Sequence, residues 1–184
     1  MALQLVRYRI SVDEYEQMIA AGVFAEDTRI ELIDGEIVEM SPIGPIHISR
    51  LNRTAKQINR LVGDETIVSV QSPVRLPPYG EPQPDIALLR PGYPEDTVPG
   101  AKDIFLVMEI ADSTINTDRR VKLPMYAAAG ILEAWLFDVQ ARVIERHTDP
   151  IAGSYRQVAS ARRNQTLTST VLPRLTIQAS LIFD

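Results

Sequence analysis

Two carboxylates within residues 82–126 stand where carboxylates are costly, and they mark where chemistry is to be sought. Asp85 follows Pro84, Glu109 interrupts the run Ile104-Phe105-Leu106-Val107-Met108-Glu109-Ile110-Ala111, and Lys122 follows further on. The run is apolar almost throughout and too short for a membrane span, so it reads as a short buried strand. An ionised carboxylate inside such a strand is strongly unfavourable unless a cation or hydrogen-bond donors compensate it. Alternation along the strand puts Phe105, Val107, Glu109 and Ala111 on one face. Asp85 opens a second short apolar run, Asp85-Ile86-Ala87-Leu88-Leu89. Two carboxylates on adjacent strands make an oxygen-rich site suited to Mg²⁺, a hard cation held by one or two carboxylates plus substrate phosphates.

The elements that must position these groups are legible in outline. Ser11-Val12-Asp13-Glu14 has the form of a capping box, opening a helix that runs to about Ala21 and stops at Gly22. Asp34-Gly35 between two strand-like runs, residues 29–33 and 36–40, is a strong hairpin signal. Glu31 lies on the first run, on a face that five residues leave undecided between core and solvent. Residues 46–62 form an amphipathic helix, with Leu51, Ala55, Ile58, Leu61 and Val62 within one arc at ~100° per residue. Arg50, Arg53, Lys56 and Arg60 fall on the opposite arc, either as a solvated face or as a line of cations for nucleic-acid phosphates. His47 projects from the apolar arc, where it is either a hydrogen-bonded core residue or a catalyst.

Residues 66–70 read as a strand, and the Pro- and Gly-rich stretch 73–100 as irregular structure around the short strand that starts at Asp85. After the Glu109 strand, a helix through Ala129 ending at Gly130 fits, with Asp118, Lys122 and Tyr126 four apart on one face. Pro124 is tolerated there only if it falls in the first turn. Residues 133–138 and 142–147 make a hairpin, residues 155–159 a third strand, and His147 a surface residue at a strand end. Residues 172–183 have no firm assignment.

At 184 residues the chain is expected to be one domain, residues 1–184, with a substantial core. Its 45% hydrophobic and 23% charged composition is ordinary for a globular protein and suggests neither disorder nor a fibrous fold. The net charge of -5 argues against broad adhesion to nucleic acid and leaves a local basic cleft open. With no cysteine, disulfides, thiolate zinc sites and cysteine nucleophiles are excluded. The first ten residues carry no apolar secretory segment, so a soluble, cytoplasmic protein without a membrane partner is the expectation.

Pro84-Asp85 followed by Glu109-Ile110-Ala111 resembles the PD-(D/E)xK signature of restriction-endonuclease-like nucleases. The flanking words narrow the resemblance: Glu31-Leu32-Ile33-Asp34-Gly35-Glu36, Met40-Ser41-Pro42, Ser113-Thr114, Lys122 with Tyr126, Ala129-Gly130 and Glu133-Ala134-Trp135-Leu136. In that order they resemble the Uma-two family, described as putative restriction endonucleases, over nearly the whole chain from about Tyr8. The resemblance implies an α/β fold of mixed α+β type: a restriction-endonuclease-like core with a central mixed sheet flanked by helices, and a β-rich C-terminal part. It also implies a metal-dependent phosphodiesterase acting on DNA, in which Asp85 and Glu109 hold Mg²⁺, or Mn²⁺ in its place, with the Ile110 carbonyl as a further ligand. Glu31 matches the family's N-terminal acidic residue, and His47 falls where relatives carry a histidine. The signature's lysine is missing, because its position is Ala111; the small side chain leaves room for Lys122 to enter from the next helix. A homodimer would suit cleavage of both strands.

The leading expectation is therefore a Mg²⁺-dependent endonuclease whose basic helix borders the same cleft. The alternative is a catalytically silent or weak nuclease-fold module serving nucleic-acid or protein binding, favoured by the acidic net charge and by Ala111. A carboxylate-pair glycosidase has only the acids in its favour.

Overall fold

A computed structural model describes residues 6–25, 27–94 and 96–184. The chain begins with α1 (Val12–Ala20), the hairpin of β1 (Ile30–Ile33) and β2 (Glu36–Glu39), and α2 (Pro45–Val62). Next come β3 (Ile67–Val70), β4 (Ile86–Leu89) and β5 (Ile104–Ala111). A short turn, α3 (Ile115–Thr117), leads through a π-helical turn at Asp118–Lys122 into α4 (Leu123–Ala128). The long strands β6 (Glu133–Asp138), β7 (Val143–Ile151) and β8 (Ser154–Arg162) follow, then β9 (Thr166–Thr168), β10 (Thr176–Gln178) and α5 (Ser180–Phe183).

Six strands form one mixed sheet in the order β3-β4-β5-β6-β7-β8. All neighbours are antiparallel except β5 and β6. The sheet is buried on both faces at its centre, which is why β4, β5 and β6 read as near-continuous apolar runs. One face packs Leu88, Leu106, Met108, Ile110, Trp135 and Phe137 against Leu51, Ile58 and Val62 of α2 and Ile182 and Phe183 of α5. The other packs Val107, Ala111, Ala134 and Leu136 against Leu123 and Tyr126 of α4. This is the expected central sheet flanked by helices, with a β-rich C-terminal part. Among the described residues no helix is long and apolar enough to cross a membrane.

Local signals hold where one residue decides the geometry. Ser11 caps α1: its hydroxyl accepts from the Glu14 N–H at 3.3 Å, and Glu14 accepts from the Ser11 N–H at 2.8 Å. Asp34 and Gly35 both have positive φ, 51° and 80°, the condition for the two-residue turn that matches strand twist.

Pairing and crowding change three expectations. Leu88 faces Leu106 but Leu89 faces Ile104, so Phe105 is an extra residue in the β4–β5 ladder. The bulge carries Phe105 away from the Glu109 face to the α2 side, where the Arg90 guanidinium lies over its ring. Pro124 has no N–H to continue a regular helix, and the chain widens just before it: the Leu123 N–H donates to the Asp118 carbonyl, five residues back. Pro124 then falls in the first turn of α4. Finally, β7 and β8 pair up to Ile151 and Ser154 across a turn at Ala152 and Gly153. His147 is therefore inside a strand, half-buried, with Nε2 3.1 Å from Glu145 Oε2 and its ring beside Tyr155. It is not a surface residue at a strand end.

Candidate active site

The site forms where β4 begins and β5 ends. Because the two strands are antiparallel, with Ile86 opposite Met108, the residue before β4 meets the end of β5. Asp85 Oδ2 accepts the Ile110 N–H at 2.7 Å, and Oδ1 lies 3.0 Å from His47 Nε2. Gln71, just past β3, donates its side-chain amide to the same Oδ1 at 3.3 Å. Glu109 projects from the α4 side of β5, as alternation requires, and is 3% exposed. The Tyr126 hydroxyl donates to its Oε1 at 2.5 Å, while among the described residues no hydrogen bond reaches Oε2.

The β1–β2 hairpin closes one side. Leu32 and Glu81 exchange main-chain hydrogen bonds at 3.2 and 2.8 Å, which sets Glu31 beside Gln83. The Gln83 N–H donates to Glu31 Oε2 at 3.1 Å. Glu31 is thus on a buried face, which settles the orientation that the sequence left open. From the opposite side comes Lys122. Its Nζ is 3.1 Å from Glu31 Oε2, 3.6 Å from Glu109 Oε1 and 3.4 Å from the Gln83 carbonyl. Asp118, one turn earlier, is buried and accepts the Thr114 hydroxyl at 2.7 Å. Asp118 and Lys122 are therefore not an exposed helix pair: both are turned into the protein.

Burial dominates the electrostatics. It pushes the Glu109 carboxyl up to about 8; Lys122 opposes the shift, and Asp85 and Asp118 add to it. Burial would depress Lys122, but the carboxylates of Glu109, Glu31 and Asp118 outweigh it and hold the amine above its ordinary value. Asp118 is also raised by burial, against the pull of the Thr114 hydroxyl and Lys122. The hydrogen bond to Asp85 raises His47 despite burial, and the Ile110 carbonyl contributes in the same direction. Lys122 is the fixed cation in a cluster of acids that compete for protons.

Glu31, His47, Asp85, Glu109 and Lys122 all line one cavity of about 400 Å³. Ile110 contributes its main chain; its side chain is in the core. Arg50, Arg53, Lys56 and Arg60 do not line the cavity, so the basic stripe of α2 does not border it. Arg50 Nη1 instead donates to the Ile182 carbonyl at 2.9 Å, tying α2 to α5. His47 faces the cavity because it lies at the start of α2 near the arc that packs on the sheet, opposite the stripe. Sequence reasoning missed Gln71 and Gln83. Gln83 had a weak signal in its place between Pro82 and Pro84, and Gln71 had none.

The donor chemistry fits a hard divalent cation. Among the described residues no three His, Asp or Glu side chains converge into a ready-made metal cluster. Mg²⁺ does not require one, since it takes one or two carboxylates and completes its shell with water and phosphate. Asp85 and Glu109 provide such a pair, and the free Oε2 of Glu109 is a donor without another use.

Comparison with known proteins bears on the fold and the family. A solved structure described as a "putative nuclease belonging to DUF820" from Anabaena variabilis ATCC 29413 superimposes with a TM-score of 0.72 over 95% of this chain and 97% of that one. At 14% identity it shows the fold alone. No curated protein sequence matches the chain. Residues 12–180 match the Uma2 family, described as "Putative restriction endonuclease". With that match spanning almost its whole length, the chain belongs to the Uma2 family.

Proposed function

We propose that this protein is a divalent-metal-dependent endonuclease that hydrolyses phosphodiester bonds of DNA in the cytoplasm. One observation carries the reading: Lys122 enters from the π turn and reaches Glu31 and Glu109, supplying the cation that Ala111 cannot. Asp85 and Glu109, with the Ile110 carbonyl, would hold Mg²⁺ or Mn²⁺, which when bound acidifies a water and offsets charge on the scissile phosphate. The residues of the chain prepare the rest. His47 and the Ile110 N–H fix the Asp85 carboxylate, and the Tyr126 hydroxyl fixes Glu109. Glu31 and the Gln83 carbonyl hold the Lys122 ammonium at the cavity wall, where it can bind a phosphate oxygen or orient the attacking water. A homodimer would present two such sites to the two strands of a duplex.

The test is cleavage of plasmid and single-stranded DNA with Mg²⁺ or Mn²⁺, comparing wild type with Asp85→Ala and Lys122→Ala. Metal-dependent cutting lost in both variants is the expected result. Loss in Asp85→Ala alone would keep the nuclease and remove Lys122 from its chemistry. A second reading, a silent nuclease-fold binding module, is favoured by the lack of a three-ligand cluster among the described residues. It is the conclusion if folded wild type cuts neither DNA.

A further inference from the structure

Gln71 is one of six described non-glycine residues with positive φ, at 47°. None of the other five (Asp34, Arg142, Asp149, Ala152 and Arg163) lines the active-site cavity; Gln71 does. The left-handed conformation is unfavourable for an L-residue, and glutamine lacks the short side chain that lets Asn or Asp adopt it more readily. The bonds show what this conformation achieves. The Gln71 main-chain N–H donates to the Asp85 carbonyl at 3.0 Å, and its side-chain amide donates to Asp85 Oδ1 at 3.3 Å. His47 meets the same oxygen from α2, and the Ile110 N–H holds the other from β5. Donors from three separate segments thus grip one carboxylate. Of its roughly four lone-pair positions, they leave one open, on Oδ2.

We propose that Gln71 is a positioning residue for Asp85: the chain holds it in a strained backbone conformation so that its amide fixes the carboxylate in its metal-binding orientation. Strain of this kind persists where the surroundings enforce it, and it concentrates at functional sites. The inference rests on the reading that Asp85 holds a divalent cation. Hydrogen-bonding partners of a metal-binding carboxylate set its orientation and strength as a donor, and losing one typically weakens metal binding about 10–100-fold.

Glycine separates this role from a purely structural one, because it relieves the strain and keeps the main-chain bond while deleting the amide. Calorimetric Mn²⁺ titrations of the full chain, with melting curves of the metal-free proteins, would compare wild type, Gln71→Gly and Gln71→Ala. Gln71→Gly is expected to bind Mn²⁺ about 10–100-fold more weakly while its Tm stays level or rises by up to about 4 °C. Gln71→Ala, which keeps the strain, should lose the same affinity without any gain in Tm. Wild-type Mn²⁺ affinity in Gln71→Gly would overturn the proposal, as would a Tm loss greater than about 4 °C in that variant, which would make the conformation structural. Failure of wild type to bind Mn²⁺ would refute the metal reading and this inference together. Tight wild-type binding with unaltered variants would refute Gln71 alone.

Discussion

Replacing Lys122 by methionine is the sharpest test of the buried charge cluster. The substitution keeps most of the side-chain volume and removes the one ammonium between Glu31, at 3.1 Å, and Glu109, at 3.6 Å. Breaking a buried ion pair from one side costs about 3–5 kcal/mol, because a carboxylate is left without its counter-charge. Glu109 has an escape: its carboxyl is already pushed up to about 8 by burial and rises further without Lys122, so it can take a proton. Its folded value lies above the unfolded one, so its ionisation destabilises wild type as pH rises from about 4.5 to about 8. The raised Lys122 has the same sign but a later window: its contribution is complete below the ordinary lysine value and is lost only as pH rises through its higher folded value. Between pH 6 and pH 9 the lysine therefore stays charged while Glu109 changes state. Urea denaturation of the metal-free protein should show Lys122→Met costing about 3–5 kcal/mol at pH 9. At pH 6, where Glu109 is neutral, the cost should fall to about half of that. Adding Glu109→Gln should recover much of the loss at pH 9 without restoring cleavage. An equal loss at both pH values would refute Glu109 as the partner, and a loss below about 1 kcal/mol at both would refute the buried cluster altogether.

Glu81 provides an independent pH test outside the cavity. Its Oε2 is buried without a hydrogen bond among the described residues, and burial, with help from Glu16 and against Arg75, pushes its carboxyl up to about 7. The raised value means stability is lost as pH climbs from about 4.5 to about 7. Glu81→Gln should therefore stabilise the protein by about 2 kcal/mol at pH 8, allowing for water near half-exposed Glu16, and by almost nothing at pH 4.5; denaturation curves with the same difference at both pH values would contradict it. Tyr126→Phe deletes a hydroxyl 2.5 Å from a buried carboxylate. It should cost about 1.5–3 kcal/mol of stability and weaken Mn²⁺ binding about tenfold or more; unchanged metal affinity would show that Tyr126 serves packing only.

The parts of the site that the sequence makes legible are those governed by the cost of placing charge in apolar strands. Glu109 inside an apolar run and Asp85 at the head of another could only be reconciled with a core by meeting at a site, and they do. Ser11, Gly22 and Asp34-Gly35 punctuate the chain through local backbone chemistry and are equally readable. What escapes is set by partners distant in sequence. The bulge at Phe105 exists only in the ladder with β4, and the length of β7 is decided by β8. The helical pattern of α2 identifies its outward arc without saying what stands beside it, so the basic stripe was expected at a cleft that it does not reach. Gln71 carries no signal, since neither its backbone strain nor its bond to Asp85 is a property of its neighbours in the chain.

The π turn at Asp118–Lys122 acts as an insertion of one residue into an otherwise regular helix. Each helical residue advances by about 100°, so the extra residue resets the phase of everything after it relative to the turn at Ile115–Thr117 that precedes it. Lys122 and Tyr126 then face Glu109 while Leu123 packs on the sheet and Ala127 is buried. Without the extra residue, Leu123 would arrive where Lys122 now stands, and an apolar side chain would meet two carboxylates. The meeting of Lys122 with the two carboxylates is thus governed by phase as much as by reach. A single-residue deletion in this turn would part the ammonium from Glu31 and Glu109 as thoroughly as a substitution, while Asp85 and Glu109 stayed in place.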